Sequence, residues 1–139
     1  MELNILRADP AGNITVFVLD PVEKAQRAAI AEKIMAIPAL KAEQVGYACA
    51  AEDDVDGHME MMGGEFCGNA TRAYGMYIAQ QKGGLSSVRL RVSGCDHAVT
   101  AQVDLKSGTA RAEMPCPRSV KRVTVNGHEG TLVDLTGIA

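Results

Sequence analysis

The chain has 139 residues, 47% of them hydrophobic, with 14 basic and 17 acidic side chains and a formal charge of −3. That is enough apolar material to bury one core in a single domain spanning 1–139, and no segment carries the polar bias of disorder. The mild acidity and the scatter of Lys and Arg argue against nucleic acid or an anionic membrane as the main partner, and no apolar run approaches a membrane-spanning length.

Leu3 to Arg7 and Ile14 to Leu19 read as two strands joined by the turn residues of Ala8-Asp-Pro-Ala-Gly-Asn13. Asp20-Pro21 then offers a capping side chain followed by proline at a first helical position. Val22, Ala25, Ala29, Ile30, Ile34 and Ile37 recur at helical spacing, which predicts an amphipathic helix to about Ala36 that Pro38 stops. Val45 to Ala51 and Gly57 to Met62 are short strands around the acidic loop Glu52–Asp56, which lacks the alternating oxygen ligands of a calcium loop and reads as a solvated turn. The run from Gly68 to Gln81 has no proline and carries apolar residues around most of its circumference, so it is expected as a buried central helix that Gly83-Gly84 ends. Val88, Leu90 and Val92 alternate with polar residues. Ala98 to Leu105 and Thr109 to Met114 follow as strands, so an antiparallel meander is expected. Val120 to Val125 and Thr131 to Leu135 flank a hairpin loop, Asn126 to Gly130. The order predicts an α+β domain whose mostly antiparallel sheet wraps one central helix.

The chemistry concentrates in Met62-Gly-Gly-Glu-Phe-Cys-Gly-Asn-Ala-Thr-Arg-Ala73. Gly63 and Gly64 permit a sharp turn, and Cys67 falls at the start of the predicted helix. Free backbone N–H groups and the positive end of the helix dipole converge there, an environment that favours a thiolate and attracts a carboxylate. The other thiols, Cys49, Cys95 and Cys116, lie far from it in sequence. Met1 to Ile5 lacks the charged-then-apolar run of a secretion signal, so reduced cysteines in the cytoplasm are expected. No metal site is expected: zinc would have to gather Cys95, His97 and Cys116 at irregular spacing.

Glu65-Phe-Cys-Gly-Asn-Ala-Thr-Arg72 closely resembles the Glu-Met-Cys-Gly-Asn-Gly-x-Arg signature of the diaminopimelate epimerase family. Ala11-Gly-Asn13 with the strand after it resembles that family's N-terminal Gly-Asn loop, and Glu43-Gln44 is similar to its Asp-Gln pair. The resemblance implies the N-terminal half of a cofactor-independent racemase or epimerase of amino acids, built of two similar halves that hold a small-molecule substrate between them. Each half supplies one cysteine, and Cys67 matches the first. Gly68 and Asn69 match the residues whose N–H groups cradle the substrate's α-carboxylate, and Asn13 and Gln44 match polar substrate contacts.

The sequence departs from the family at three places. Ala70 and Ala73 stand where the signature has Gly and a second Cys. The loop ahead of the motif is short, His58-Met-Glu-Met-Met62 running almost directly into Gly63-Gly64, which resembles the divergent branch containing the histidine racemases of metallophore synthesis. No second Cys-Gly motif occurs, since Cys95 precedes Asp and Cys116 precedes Pro. Val133 to Ala139 resembles the opening of a second half. The partner half is therefore expected from the same chain in a longer protein or from a second copy in a homodimer, and a non-catalytic binding domain is the alternative from another class.

Overall fold

The computed structural model describes residues 1–135. In chain order the elements are β1 (Ile5–Ala8), β2 (Thr15–Val18), α1 (Lys24–Met35), β3 (Gln44–Cys49), β4 (Gly57–Met61), α2 (Gly68–Gln81), β5 (Ser87–Val92), β6 (Val99–Asp104), β7 (Thr109–Ala112), β8 (Ser119–Val125) and β9 (His128–Asp134). Strands β1 to β7 form one sheet in sequential order, and β8 and β9 form a separate hairpin. The fold is α+β, as the order of patterns predicts.

The sheet is mixed, with four antiparallel pairs and two parallel ones. The β2–β3 and β4–β5 pairs are parallel, while the other neighbours in the sheet are antiparallel. Both parallel pairs are joined through a helix, α1 in the first and α2 in the second. Parallel neighbours require such a crossover, so the position of each helix in the chain makes the sheet mixed. Alternation along a strand reports which face is buried and carries no information on direction.

The two helices occupy opposite faces. Val16, Val18, Val45 and Tyr47 pack with Ile30, Ala31 and Ile34 of α1, whereas Phe17, Met59, Leu90 and Val99 pack with Ala70, Tyr74 and Ile78 of α2. Side chains alternate across a strand, so Phe17 and its neighbours Val16 and Val18 feed different cores. All four residues of β2 are buried, which explains the apolar run from Ile14 to Leu19 that only Thr15 interrupts. The sheet thus carries a helix on each side, with α2 packed against β4 to β7 and α1 against β3.

Helix α2 starts and stops where its punctuation puts it, and from Ala70 to Ala79 no residue is exposed. It sits unusually close to the sheet at Gly75. A Cβ there would lie 2.8 Å from the Ala101 Cβ on β6. At its end Gly83 and Gly84 take φ of 82° and 96°, and the Gly84 N–H donates to the Ala79 carbonyl at 2.8 Å. The sheet curls so that its edges, β1 and β7, reach the same side of α2. Leu6 and Ala8 from one edge and Ala110 from the other face Ala73, Met76 and Tyr77 across an open groove of about 400 Å³.

Two expectations need correction. Asp20 does not cap α1, whose N-cap is Glu23 with no side-chain capping bond. Asp20 instead accepts hydrogen bonds from the backbone N–H of Asn4 at 2.5 Å and from its side chain at 3.2 Å, closing the β1–β2 hairpin, and these bonds hold its carboxyl below the usual range. The last hairpin loop is shorter than the five residues read from sequence. Asn126 and Gly127 alone make the turn, with φ of 50° and 78°, the two positive values that suit a tight two-residue connection. Residues 136–139, which include most of the segment read as the opening of a second half, lie outside the described residues.

Candidate functional site

Leaving β4, the chain turns at Gly64, whose φ is 74° and whose N–H donates to the Met61 carbonyl at 3.0 Å. Ser93, just past β5, braces this turn from both sides. Its Oγ accepts from the Met61 N–H at 2.8 Å and donates to the Glu65 carbonyl at 2.7 Å. The chain then runs extended into Cys67, the N-cap of α2, at φ −130° and ψ 112°.

Cys67 is half-buried, and its sulfur accepts from two N–H groups. The backbone N–H of Ala70 lies 3.4 Å away and the Gln44 Nε2 lies 3.1 Å away. Its carbonyl is fixed as well, by the backbone N–H of Thr71 at 2.9 Å and the Thr71 hydroxyl at 2.8 Å. Thr71 is fully buried, so the first turn of α2 is anchored at both sulfur and carbonyl. As the first two helical residues, Gly68 and Asn69 have N–H groups without intrahelical acceptors. The first turn has no acidic side chain, so the positive helix end remains open to an anion.

The structure brings together the residues that the family resemblance singles out. Gln44 opens β3 directly beside Thr15 of β2, and its Nε2 donates toward Asn13 Oδ1 at 3.1 Å and Thr15 Oγ1 at 2.8 Å. Asn69 Nδ2 donates to the same Asn13 oxygen at 3.2 Å, and Asn13 Nδ2 donates to Glu43 Oε2 at 2.9 Å. Arg72 donates to Asn69 Oδ1 from one turn further along α2. Asn13, Gln44, Cys67 and Asn69 therefore form one connected polar cluster, with Gly68 at its rim. On the other side of Cys67 lies an open depression of about 420 Å³ lined by Phe66, Gly68, Asn69, Arg72 and Met114. A Cβ at Gly68 would stand 3.1 Å from the Met114 sulfur and narrow that depression.

Sequence reasoning missed Thr15, Ser93 and Met114. Thr15 is fully buried and polar, and only its register opposite Gln44 reveals it. Ser93 could have been suspected only as a hydroxyl at a strand end.

The other cysteines have different surroundings. Burial pushes the Cys49 thiol up, and the Glu60 carboxylate pushes the same way, against the pull of Arg27. Cys116 is exposed, and Cys95 lies 3.6 Å from His97 Nδ1. Among the described residues two groups bring potential metal ligands within 4.8 Å of one another, Cys49 with His58 and Glu60, and Cys95 with Asp96 and His97. Cys116 is not part of the second group. Glu60 of the first group is already paired with Arg27 and flanked by Lys24. No helix among the described residues is long and apolar enough to cross a membrane.

A thiol at a helix N-terminus, fed by amide donors and opening onto a shallow depression, is the arrangement that the racemase resemblance implies for one half of such a site. The chain belongs to the family described as the histidine racemase CntK N-terminal domain, whose model matches residues 2–138. It is 31% identical over 145 residues to a histidine racemase of Fusobacterium nucleatum, an alignment that covers 98% of this chain and 52% of the relative. It is 32% identical over 122 residues to a histidine racemase of Staphylococcus aureus, covering 85% of this chain and 44% of that protein. The chain thus spans about half the length of the relatives it matches. These relatives fall on the histidine side of the resemblance and lend no support to diaminopimelate or to lysine biosynthesis.

Proposed function

We propose that this chain is the thiol-bearing first half of a cofactor-independent histidine racemase, a cytoplasmic enzyme whose site is completed by a second half of similar build. The observation that carries this reading is the Cys67 sulfur at the head of α2, accepting from Ala70 N–H and Gln44 Nε2. The family match and the histidine racemase relatives support the substrate.

Inversion at an α-carbon needs a base on one face and an acid on the other. Cys67 as thiolate removes the α-proton from its side: the C–H bond breaks, an S–H bond forms, and the electron pair stays on the carbon, spread into the carboxylate. A thiol supplied from the opposite side delivers its proton to the other face and becomes a thiolate, ready for the reverse reaction. The carboxylate must be held while it carries that charge. The unpaired N–H groups of Gly68 and Asn69 at the positive end of α2 would cradle it, and donors already in place need no rearrangement as the charge develops. Asn13 and Gln44 would contact the substrate's polar groups. The depression beside Cys67 is open on the exposed side, so a covering half is needed to exclude water.

The test is chiral chromatography of histidine and diaminopimelate after incubation with the whole protein and with residues 1–139 alone. Interconversion of L- and D-histidine by the whole protein, with negligible turnover by residues 1–139, is expected. Ready racemisation by residues 1–139 alone would refute the two-half reading, and turnover of diaminopimelate without histidine would refute the substrate.

A further inference from the structure

We infer that Thr15 is a positioning residue for the Cys67 thiol, acting through the side-chain amide of Gln44; the inference rests on the racemase reading above. A glutamine amide nitrogen carries two N–H groups. Gln44 Nε2 lies within bonding distance of three acceptors: Thr15 Oγ1 at 2.8 Å, Asn13 Oδ1 at 3.1 Å and Cys67 Sγ at 3.1 Å. One acceptor must share.

Thr15 holds the shortest of the three bonds, and its side chain is fully buried on a strand whose four residues are all buried. It also sits in direct register with Gln44 across the parallel β2–β3 pair, so neither backbone can drift relative to the other. Thr15 therefore retains one hydrogen throughout. The second hydrogen is divided between the Asn13 oxygen and the Cys67 sulfur. An ionised acceptor draws a donor more strongly than a neutral one, so the shared hydrogen turns to sulfur when Cys67 is a thiolate and to Asn13 when it is a thiol. Asn13 loses little, because Asn69 Nδ2 also donates to its oxygen.

The sulfur and the Asn13 oxygen, both acceptors, set which end of the amide faces the thiol, since the Thr15 hydroxyl can accept from the nitrogen or donate to the oxygen. With the nitrogen inward, Gln44 donates one hydrogen to Thr15 and shares the other between the sulfur and Asn13 Oδ1. With the amide flipped, its oxygen would face two acceptors, the sulfur and the Asn13 oxygen, and the Ala70 N–H alone would donate to the thiolate. Thr15 thus acts on neither substrate nor proton: it accepts the amide hydrogen aimed at the buried strand, and without that oxygen the hydrogen would be buried unsatisfied and the amide would be driven away from the sulfur.

The experiment uses alkylation of residues 1–139 with iodoacetamide near neutral pH, read by peptide mass mapping, with the exposed Cys116 as internal reference. Thr15→Val keeps the shape and removes the oxygen. It is expected to slow labelling of Cys67 about 5- to 10-fold relative to Cys116, and Thr15→Ser to restore the rate to within about twofold. In the whole protein the same Val substitution should lower kcat by a similar factor with KM nearly unchanged. A measurement on the unmodified sequence accompanies these. In ¹⁵N spectra, one Gln44 side-chain proton should keep its shift and slow exchange when Cys67 is alkylated while the other moves. An unchanged Cys67/Cys116 ratio in the Val variant, failure of Ser to rescue, or a Gln44 amide whose two protons respond alike would overturn the inference. If the whole protein does not racemise histidine while the labelling ratio falls as expected, the functional reading fails and the Thr15 contact stands.

Discussion

Substituting Gly75 by alanine tests how the sulfur's position is set. Glycine in a helix interior costs about 1 kcal/mol relative to alanine, so on propensity alone Gly75→Ala should stabilise. The structure opposes this. The added methyl would sit 2.8 Å from the Ala101 Cβ, and 3.4 and 3.5 Å from Val88 Cγ2 and Leu90 Cδ1. Carbon contacts are favourable near 3.5–4.0 Å, and the Ala101 methyl is fixed to a strand paired on both sides and has no rotamer to move to, so helix and sheet must part by roughly 1 Å. Overpacking of this kind costs about 1–3 kcal/mol, which leaves a net loss of about 1 kcal/mol after the propensity gain. Because Cys67 leads the same helix, lifting α2 also shifts the sulfur relative to Gln44. Urea titration of Gly75→Ala, Ala101→Gly and the double variant should show that the two changes are coupled, the double being more stable than the sum of the singles predicts by about 1 kcal/mol. A Gly75→Ala protein more stable than the unsubstituted one, or a strictly additive double, would refute the close-contact argument.

Cys67→Ser in the whole protein should lower histidine racemisation about 10²- to 10⁴-fold, because an alcohol is a far weaker acid than a thiol and a poor base at neutral pH; an unchanged circular dichroism spectrum would show that the fold survives. Glu60→Gln should make stability less dependent on pH. Burial pushes the Glu60 carboxyl up, but the Arg27 hydrogen bond and the charges of Arg27, Lys24 and His58 outweigh it and hold the group below its ordinary value. Its stabilisation is present above the unfolded glutamate pKa of about 4.3 and is lost as pH falls through the native value. The unsubstituted protein should therefore lead the variant by about 1–2 kcal/mol at pH 7, with the gap closing below about pH 4. Denaturation at a series of pH values would show it, and a gap that persists at pH 3 would argue against the ion pair.

Local punctuation made much of the chain legible. Gly83-Gly84 and Pro38 mark real helix ends, and the alternation in Val88, Leu90 and Val92 marks a real strand. What the sequence hid depends on partners distant along the chain. Asp20 looks like a helix cap until Asn4 is seen to claim it, and strand directions emerge only when each crossover helix is placed between its neighbours. The candidate site divides in the same way. Cys67 could be argued from a glycine turn and a helix start, whereas Asn13, Gln44, Gly68 and Asn69 came from resemblance alone. Thr15 escaped both routes, because a threonine inside an apolar run reads as strand filler until register sets its hydroxyl against Gln44.

Among the described residues the curled sheet leaves two unpaired edges over one apolar floor, and such a slot invites aggregation. Unpaired backbone groups along an edge will zip onto any extended chain that comes near, and here there is a rail on each side of the groove. The sequence blunts both. β1 and β7 are only four residues long, and each turns an arginine outward, Arg7 on one and Arg111 on the other. Arg7 is further tied down, its Nε donating to the Leu40 carbonyl at 2.8 Å. Burying those guanidinium groups against a stray strand would carry a desolvation cost, which discourages pairing at either edge.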